Sequence, residues 1–345
     1  MTATDPRAGL AALDRLLTRR GLDRPAAADD AGTDDAGTDD VRSPERELER
    51  ALDQVWERHP FALAAALTEQ VHGVLPLLDT FAADAPLLDG VRTGRVTAAL
   101  GLYTPNALFS LTVPTVRAAR NGDRTTLHGR YRYAARDAEA ALVTVRLDGA
   151  TRLALVPHDA PGVRPHGAGR SADHGWAALD GAAPAALSRP VDWALDGVLT
   201  AALDAHAWAF ARRALARPAR DVADLRRTLA RAGEGVEALS TSQYLAHELS
   251  TLEIELSLAA AAARFGAAFK AEAPGGTAAL ATLLSCVDLL RRTARTTEDM
   301  ATELGLADVP ADRDDAGLQA HFGGRRVVEN ELARRMGLVP EAVAA

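Results

Sequence analysis

Four side chains suited to acid–base chemistry stand in the second half of the chain: Asp196, Asp204, His206 and His321. Carboxylates and imidazoles at such positions carry protons in general acid–base catalysis. Each also has an ordinary structural interpretation. Asp196 precedes a predicted helix and would serve as its N-cap, His206 would be a packed or surface residue within that helix, and the glycine-rich surroundings of His321 are typical of a flexible loop. Proton transfer is therefore one hypothesis for these residues, and a structural role is the other.

The sequence contains no motif for metal binding, nucleotide binding or nucleophilic catalysis. We find no metal-ligand spacing, nucleotide P-loop, serine nucleophile elbow or Gly-x-Gly-x-x-Gly, so no metal site is expected. Cys286 is the one cysteine, which excludes an intramolecular disulfide and a multi-cysteine zinc site. Its leucine neighbours predict a buried structural thiol.

Charge and hydropathy narrow the classes of partner. The net charge is −8, and the first 45 residues carry ten acidic residues against six arginines. A mildly acidic body without a basic cluster argues against nucleic acid as a partner. Apolar runs such as Phe61 to Leu67 are far shorter than the roughly 20 residues of a membrane helix, and the first residues do not resemble a signal peptide. We therefore expect no membrane partner and a cytoplasmic location.

The elements that position these residues follow an order of helices, a short β block and helices again. The β block extends from about Leu108 to Pro165 and is the one region that reads as strand. Asn121-Gly122 and Asp148-Gly149 each separate two strand-like runs, and both pairs are typical of type I′ hairpin turns, in which both central residues have positive φ. Two β-hairpins are therefore predicted in the middle of the chain.

Helical periodicity accounts for most of the rest. Ser43-Pro44 is an N-cap followed by proline at the first helical position, and predicts a helix to about His59. Ahead of it, Leu10, Leu13, Leu16 and Leu17 form a short amphipathic helix, followed by an acidic stretch at 29–40 that we expect to be a disordered linker. The further predicted helices are Phe61 to Leu78, Leu87 to Leu100, Val198 to Leu215, Asp221 to Ala232, Ser240 to Phe269 and Thr277 to Leu304.

This order predicts an α+β, mostly α protein. Residues 1–42 would be an extension, 43–107 an N-terminal helical domain, 108–190 a central β domain, and 191–345 a C-terminal helical bundle. Four long helices joined by short loops are typical of an antiparallel four-helix bundle.

From Ser43 to the end, the chain resembles the acyl-CoA dehydrogenase family. The similarity lies in the segments 121–129, 133–138 and 142–145 of the β block and in 242–256 of the bundle. The family has an N-terminal helical domain, a small β domain and a four-helix bundle that forms dimers or tetramers. The resemblance therefore implies FAD as cofactor, an acyl-CoA or acyl-carrier-protein substrate, and a homo- or hetero-oligomer.

The family positions that hold the flavin are only partly kept. Thr104 and Ser110 stand in the stretch that in the family binds the flavin edge and the thioester, and Tyr133 takes the place of a tryptophan that packs on the flavin. Arg231 corresponds to the arginine that reaches the flavin pyrophosphate. In contrast, Ala135 replaces a threonine that bonds the ring.

The catalytic base of the family is also displaced. The glutamate near the C-terminus corresponds to Gly323, and His321 lies two residues before it. Some members carry the base on the first bundle helix, where Asp196 stands here. An aspartate there could remove an α-proton if desolvation raised its pKa. We therefore take Asp196 and His321 as the candidate catalytic residues.

Two functions follow from these expectations. The first is a divergent flavin-dependent oxidoreductase acting on an acyl thioester in biosynthetic or acyl metabolism. The second is a flavin-free relative that serves as a partner subunit or carries out non-redox chemistry such as dehydration or cyclisation.

Overall fold

One β-sheet stands between N-terminal and C-terminal helices along the chain in the computed structural model, which describes residues 6–19, 43–82, 85–102, 110–134, 137–167, 175–191, 197–232, 243–268, 275–303 and 321–338. The helices are α1 Pro6–Arg19, α2 Pro44–Arg58, α3 Phe61–Thr68, α4 Pro86–Arg92, α5 Val198–Ala214, α6 Ala216–Ala232, α7 Gln243–Ala268, α8 Ala278–Glu303 and α9 Arg325–Arg335. The strands are β1 Ala98–Leu100, β2 Val116–Asn121, β3 Arg124–Tyr133, β4 Ala140–Leu147, β5 Ala150–Pro157, β6 Val163–Gly167, β7 Gly175–Ala182 and β8 Ala186–Pro190. The predicted order of helices, strands and helices is confirmed.

The N-terminal helices pack into one core. The Ser43 hydroxyl accepts a hydrogen bond from the Arg46 amide, which confirms the predicted cap of α2. Leu13, Leu16 and Leu17 of α1 are buried in the same core, so the short amphipathic helix docks on the body of the protein. The acidic stretch 29–40 lies outside the described residues.

Helix α3 does not continue to Leu78 as a regular helix. It is followed by a π turn, Glu69–Val74, and a 3₁₀ helix, Leu75–Thr80. Pro76 lacks an amide hydrogen and cannot take part in a regular α-helical ladder. This stretch, Phe61–Thr80, is apolar and long enough for a membrane span, and 78% of its apolar window is buried inside the fold, as in a core helix.

The predicted helix Leu87 to Leu100 is wrong in its second half. Helix α4 ends at Arg92, and Ala98–Leu100 pairs in parallel with β4. Gly94 explains the break, since its φ is 72° and a Cβ there would lie 2.3 Å from the Ala12 carbonyl oxygen. Only glycine fits this turn.

Both predicted hairpins form, one with a different turn. Asp148 and Gly149 have φ of 51° and 78°, as a type I′ turn requires. In the first hairpin Asn121 pairs with Arg124, so the central residues are Gly122 and Asp123, and of these only Gly122 has positive φ. That turn is of the II′ class, with glycine first.

The sheet is larger than the predicted β block. Its strand order is β6-β7-β3-β2-β4-β5-β8, with β1 beside β4. The expectation that only Leu108 to Pro165 reads as strand was therefore wrong, because β1 and β7–β8 lie outside it. The segment Gly175–Ala182 is rich in alanine and glycine, which carry little strand propensity, and it becomes a strand by pairing between β3 and β6.

The C-terminal helices form the predicted bundle. Helix α5 packs on α7 and α8, and α6 packs on both as well. Their shared core includes Leu215, Leu225, Leu252 and Cys286. Burial of the Cys286 thiol raises its pKa to about 12, which confirms the inert structural thiol. The last helix, α9, was not predicted and returns the chain to the junction of the bundle with the N-terminal helices.

Candidate functional site

Three buried side chains from distant parts of the chain meet where the N-terminal helices, β1 and the bundle come together. They are Glu69, His206 and His321, which are 1%, 0% and 3% exposed, and we call them the junction cluster. One potential ligand atom from each lies within 4.8 Å of the others. Nδ1 of His321 is 2.6 Å from Oε2 of Glu69, a short hydrogen bond with imidazole as donor.

The π turn positions Glu69. Its Oε1 accepts a hydrogen bond of 2.7 Å from the Leu100 amide, and Oε1 of the next residue, Gln70, accepts one of 2.9 Å from the Ala98 amide. Gly73 lets the Leu100 side chain approach, since a Cβ there would lie 2.6 Å from Leu100 Cδ1. The turn therefore holds one edge of β1 and aims the carboxylate of Glu69 at His321.

Aromatic rings close the other sides of the junction cluster. His206 stacks on Phe322 at a centroid distance of 4.5 Å, and Phe210 lies 5.8 Å from His321. Phe210 also packs edge-on against Trp56 and Phe61. This dry surrounding strengthens every electrostatic interaction inside it.

Burial decides the charge of His206. Desolvation holds its pKa well below the ordinary value, and the nearby His321 and His72 act in the same direction. His206 is therefore a neutral imidazole near pH 7. A neutral imidazole can accept a proton or bind a cation through its lone pair.

A second charged group lies beside the junction. Glu49 of α2 is 3.2 Å from Nε2 of His72 and 2.7 Å from the guanidinium of Arg213. Burial opposes ionisation of Glu49, but the hydrogen bond from His72 and the charge of Arg213 hold its pKa below the usual range. This group ties α2 to the π turn and to α5.

Of the candidate catalytic residues, the structure describes one. His321 belongs to the junction cluster, whereas Asp196 lies outside the described residues, directly before Gly197, the N-cap of α5. Asp204 pairs with Arg335 at 2.6 Å and accepts the Gly275 amide at 3.0 Å. Burial raises the pKa of Asp204, opposed by Arg335. These contacts favour a structural role for Asp204.

The candidate flavin contacts are distributed over the β domain and the bundle. Ser110 is buried, with its hydroxyl 2.9 Å from that of Thr112. Tyr133 is 3% exposed, its ring 4.4 Å from that of His158 and in tight contact with Gly175. Arg231 lies on α6, Thr104 lies outside the described residues, and the two flavin roles predicted for them stay predictions.

Two polar atoms beside Tyr133 have no hydrogen-bond partner among the described residues. They are the hydroxyl of Tyr131, which is fully buried, and Nε2 of His158. Nδ1 of His158 is 2.6 Å from the Ala138 carbonyl, so Nδ1 carries the hydrogen and Nε2 is an acceptor. A donor and an acceptor on an aromatic wall fit the edge of a flavin ring, which offers both kinds of group. The hydroxyl of Tyr131 and Nε2 of His158 therefore suit FAD as a hydrogen-bond donor and a hydrogen-bond acceptor.

The opposite face of the same strands carries an open groove of about 440 Å³. Arg130, His166 and Trp176 line it, and the Arg132 guanidinium lies 6.0 Å from the Trp176 ring. Tyr131 and Tyr133 thus share the packed face and Arg130 and Arg132 the solvated one, as their period-two spacing predicts.

Comparison with known proteins identifies the fold. No protein-family model matches the sequence, and no curated protein matches it. A butyryl-CoA dehydrogenase from Megasphaera elsdenii superposes with a TM-score of 0.70 over 97% of this chain and 88% of that chain, at 17% identity. An acyl-CoA dehydrogenase from Geobacillus kaustophilus gives 0.70 over 95% and 90%, at 16% identity. A glutaryl-CoA dehydrogenase from Mycobacterium smegmatis in complex with FADH2 gives 0.65 over 80% and 78%, at 19% identity.

The chain therefore has the acyl-CoA dehydrogenase fold that the resemblance implied. The sequence points to His321 and includes His206 among its acid–base candidates, whereas no motif marks Glu69 or Tyr131 as a site residue. Glu69 stands in an apolar helical run with no motif around it, and its partner His321 is 252 residues away. The one signal was a charged residue, Glu69, directly after the apolar run Phe61–Leu67 and Thr68.

Proposed function

We propose that this chain acts on an acyl thioester, carried by coenzyme A or by a carrier protein, and oxidises it with FAD. The observation that carries the proposal is the buried Glu69–His321 pair, a proton-transfer group held at the domain junction of an acyl-CoA dehydrogenase fold. The fold supports the class of chemistry, and fold alone does not assign the reaction.

Two residues would handle protons in this proposal. Asp196, which directly precedes Gly197 in the sequence, would accept the α-proton of the acyl group. His321, hydrogen-bonded to Glu69, would hold a second proton beside the reacting carbon and polarise the acyl group. The short bond to a carboxylate orients the imidazole, as an acid–base histidine requires.

The aromatic wall of the β domain would hold the cofactor. The hydroxyl of Tyr131 and Nε2 of His158 would pair with the flavin edge, Tyr133 would lie beside the ring, and Ser110 and Thr104 would complete that side. Arg231 would bind the pyrophosphate. When bound, FAD supplies an acceptor for the hydride that leaves the acyl group.

Association with a second chain is part of the proposal. Helix α7 exposes Ile254, Leu258 and Phe265, which are 61%, 66% and 65% exposed and lie on one side of the helix by their spacing. Exposed large apolar residues on one face of a helix are typical of an interface. We therefore expect an oligomer in which α7 faces another bundle.

The first experiment is the visible absorption spectrum of the purified protein, recorded before and after incubation with FAD and gel filtration. A retained flavin spectrum is expected, together with bleaching on addition of an acyl thioester. Asp196→Asn should abolish bleaching without loss of the flavin. Asp180→Asn, an exposed carboxylate on β7, is the matched control and should leave bleaching unchanged. A colourless protein that does not retain FAD would contradict the oxidoreductase proposal.

One observation favours a second candidate, a flavin-free relative with non-redox chemistry or a partner-subunit role. The ring of Tyr133 is 3% exposed and packs against Gly175 and His158, so a flavin could stack on it only after these neighbours move. In that case the junction cluster would act on the acyl group by acid–base chemistry, for example in a dehydration. A colourless protein in which Glu69→Gln and His321→Gln abolish turnover of a hydroxyacyl thioester would support this candidate.

A further inference from the structure

The junction cluster has the composition of a metal site. It offers one carboxylate and two imidazoles, which are the ligand types that Zn²⁺ and Fe²⁺ take in sites with two histidines and one carboxylate. Glu69 comes from the π turn, His206 from the middle of α5, and His321 from four positions before the start of α9, so folding alone brings them together. We propose that Glu69, His206 and His321 bind one divalent transition-metal ion.

The distances fit an ion after small side-chain movements. Ligands bound at about 2.0–2.2 Å in a tetrahedral arrangement lie roughly 3.4 Å apart. The Glu69–His321 contact of 2.6 Å is shorter than this, and the outer limit of the cluster, 4.8 Å, is longer. Shifts of about 1 Å at the side-chain ends would equalise the three separations. In the metal-free protein, a proton lies between Oε2 of Glu69 and Nδ1 of His321, and this hydrogen bond accounts for their short separation.

Supporting contacts already orient the ligands. The second oxygen of Glu69 is held by the Leu100 amide, an outer hydrogen bond of the kind that fixes metal-bound carboxylates. Phe322 stacks on His206 and Phe210 lies beside His321. An apolar shell of this kind limits solvent access to a metal site.

A structural role does not account for the carboxylate. Gln70 bonds the Ala98 amide through a neutral side-chain carbonyl, in the same way that Glu69 bonds the Leu100 amide. A glutamine at position 69 would therefore support β1 equally well. The charge of Glu69 is needed only for the two imidazoles that it faces, and a cation shared by all three groups explains why it is buried there.

The test begins with the wild-type full-length chain. The protein is dialysed against Zn²⁺, freed of excess metal on a desalting column and analysed for zinc content. We expect one zinc per chain. X-ray absorption spectroscopy of that sample should show two imidazole ligands together with oxygen-type ligands. This measurement uses the wild-type protein alone, so it does not depend on the folding of a variant.

Variants then assign the ligands. Glu69→Gln keeps the bond to Leu100, and His206→Phe keeps the stack on Phe322, so both should fold. Each should weaken zinc binding by more than the roughly 10–100-fold that loss of an outer supporting hydrogen bond costs. His247→Gln removes an exposed histidine of α7 and serves as the control, with zinc affinity unchanged.

The inference does not depend on flavin or thioester. If the wild-type chain retains no zinc, or if Glu69→Gln and His206→Phe retain it as tightly as wild type, the metal site is refuted while the absorption test of the proposed function is unaffected. If zinc is bound, His321 is one of its ligands. The lone pair of its imidazole is then used in the bond to zinc and cannot take a proton, so Asp196 is left as the proton acceptor.

Discussion

The unpartnered hydroxyl of Tyr131 gives the sharpest test of the flavin wall. It lies on β3 in the sheet core, fully buried, and burial raises the pKa of the phenol far above its usual range, with a smaller contribution from Tyr133. An unsatisfied buried hydroxyl costs about 1–3 kcal/mol. Tyr131→Phe removes the oxygen and keeps the ring. Without any ligand, the variant should therefore unfold at a higher denaturant midpoint than wild type, by the equivalent of about 1–3 kcal/mol.

The stability advantage of Tyr131→Phe over wild type should shrink when FAD is present. A ligand that binds the folded state stabilises it in proportion to its affinity, so FAD should raise the midpoint of wild type more than that of Tyr131→Phe. Tyr133→Phe is the matched control on the same face of the same strand, and its hydroxyl is not among the unpartnered atoms, so this change should not stabilise the free protein. A Tyr131→Phe protein that is less stable than wild type without ligand would show that the hydroxyl has a partner, and the argument for the wall would fail.

Three further predictions test the packing around the site. Arg213→Met removes one of the two guanidinium groups that pair with Glu49 and leaves Arg212 at 2.8 Å, so it should lower the free energy of unfolding by about 1.5–3 kcal/mol in denaturant titrations. The pKa of Glu49 is lower in the folded than in the unfolded chain, so its contribution to stability is present above about pH 4.3 and is lost as the pH falls further. In a plot of melting temperature against pH, Glu49→Gln should therefore make the decrease at acid pH less steep. Leu258→Glu should shift the oligomer toward smaller species in light scattering after gel filtration, whereas Ala11→Glu, at an exposed position of α1, should not.

The predictable parts of the fold are those that short-range chemistry determines. Ser43-Pro44 defines the start of α2, and Asp148-Gly149 defines a hairpin, because cap and turn conformations depend on a few neighbouring residues. The strands around Trp176 were missed because alanine and glycine carry no strand signal, and their conformation is imposed by pairing with β3.

The candidate site was less predictable than the fold. The resemblance led to His321 through the position of a lost base. It could not reveal Glu69, whose direction is determined by the π turn, a local widening of the helix that residue propensities do not encode. The unpartnered atom of Tyr131 depends on the pairing of β3 with β2 and β7 and on the close packing of Gly101 against its ring, which are tertiary properties.

The junction cluster is costly to maintain, and that cost favours a functional explanation. Transfer of an ionised carboxylate into a dry interior costs several kcal/mol even after relaxation, and apolar residues of similar volume are often as stable or more stable at such positions. The rings of Trp56, Phe210 and Phe322 show that this junction can be filled by apolar packing. Gln70 shows that β1 can be held by a neutral side chain. Since neither packing nor strand support requires Glu69 to be charged, the carboxylate and its two imidazoles are best explained by the proton or the cation that they can hold.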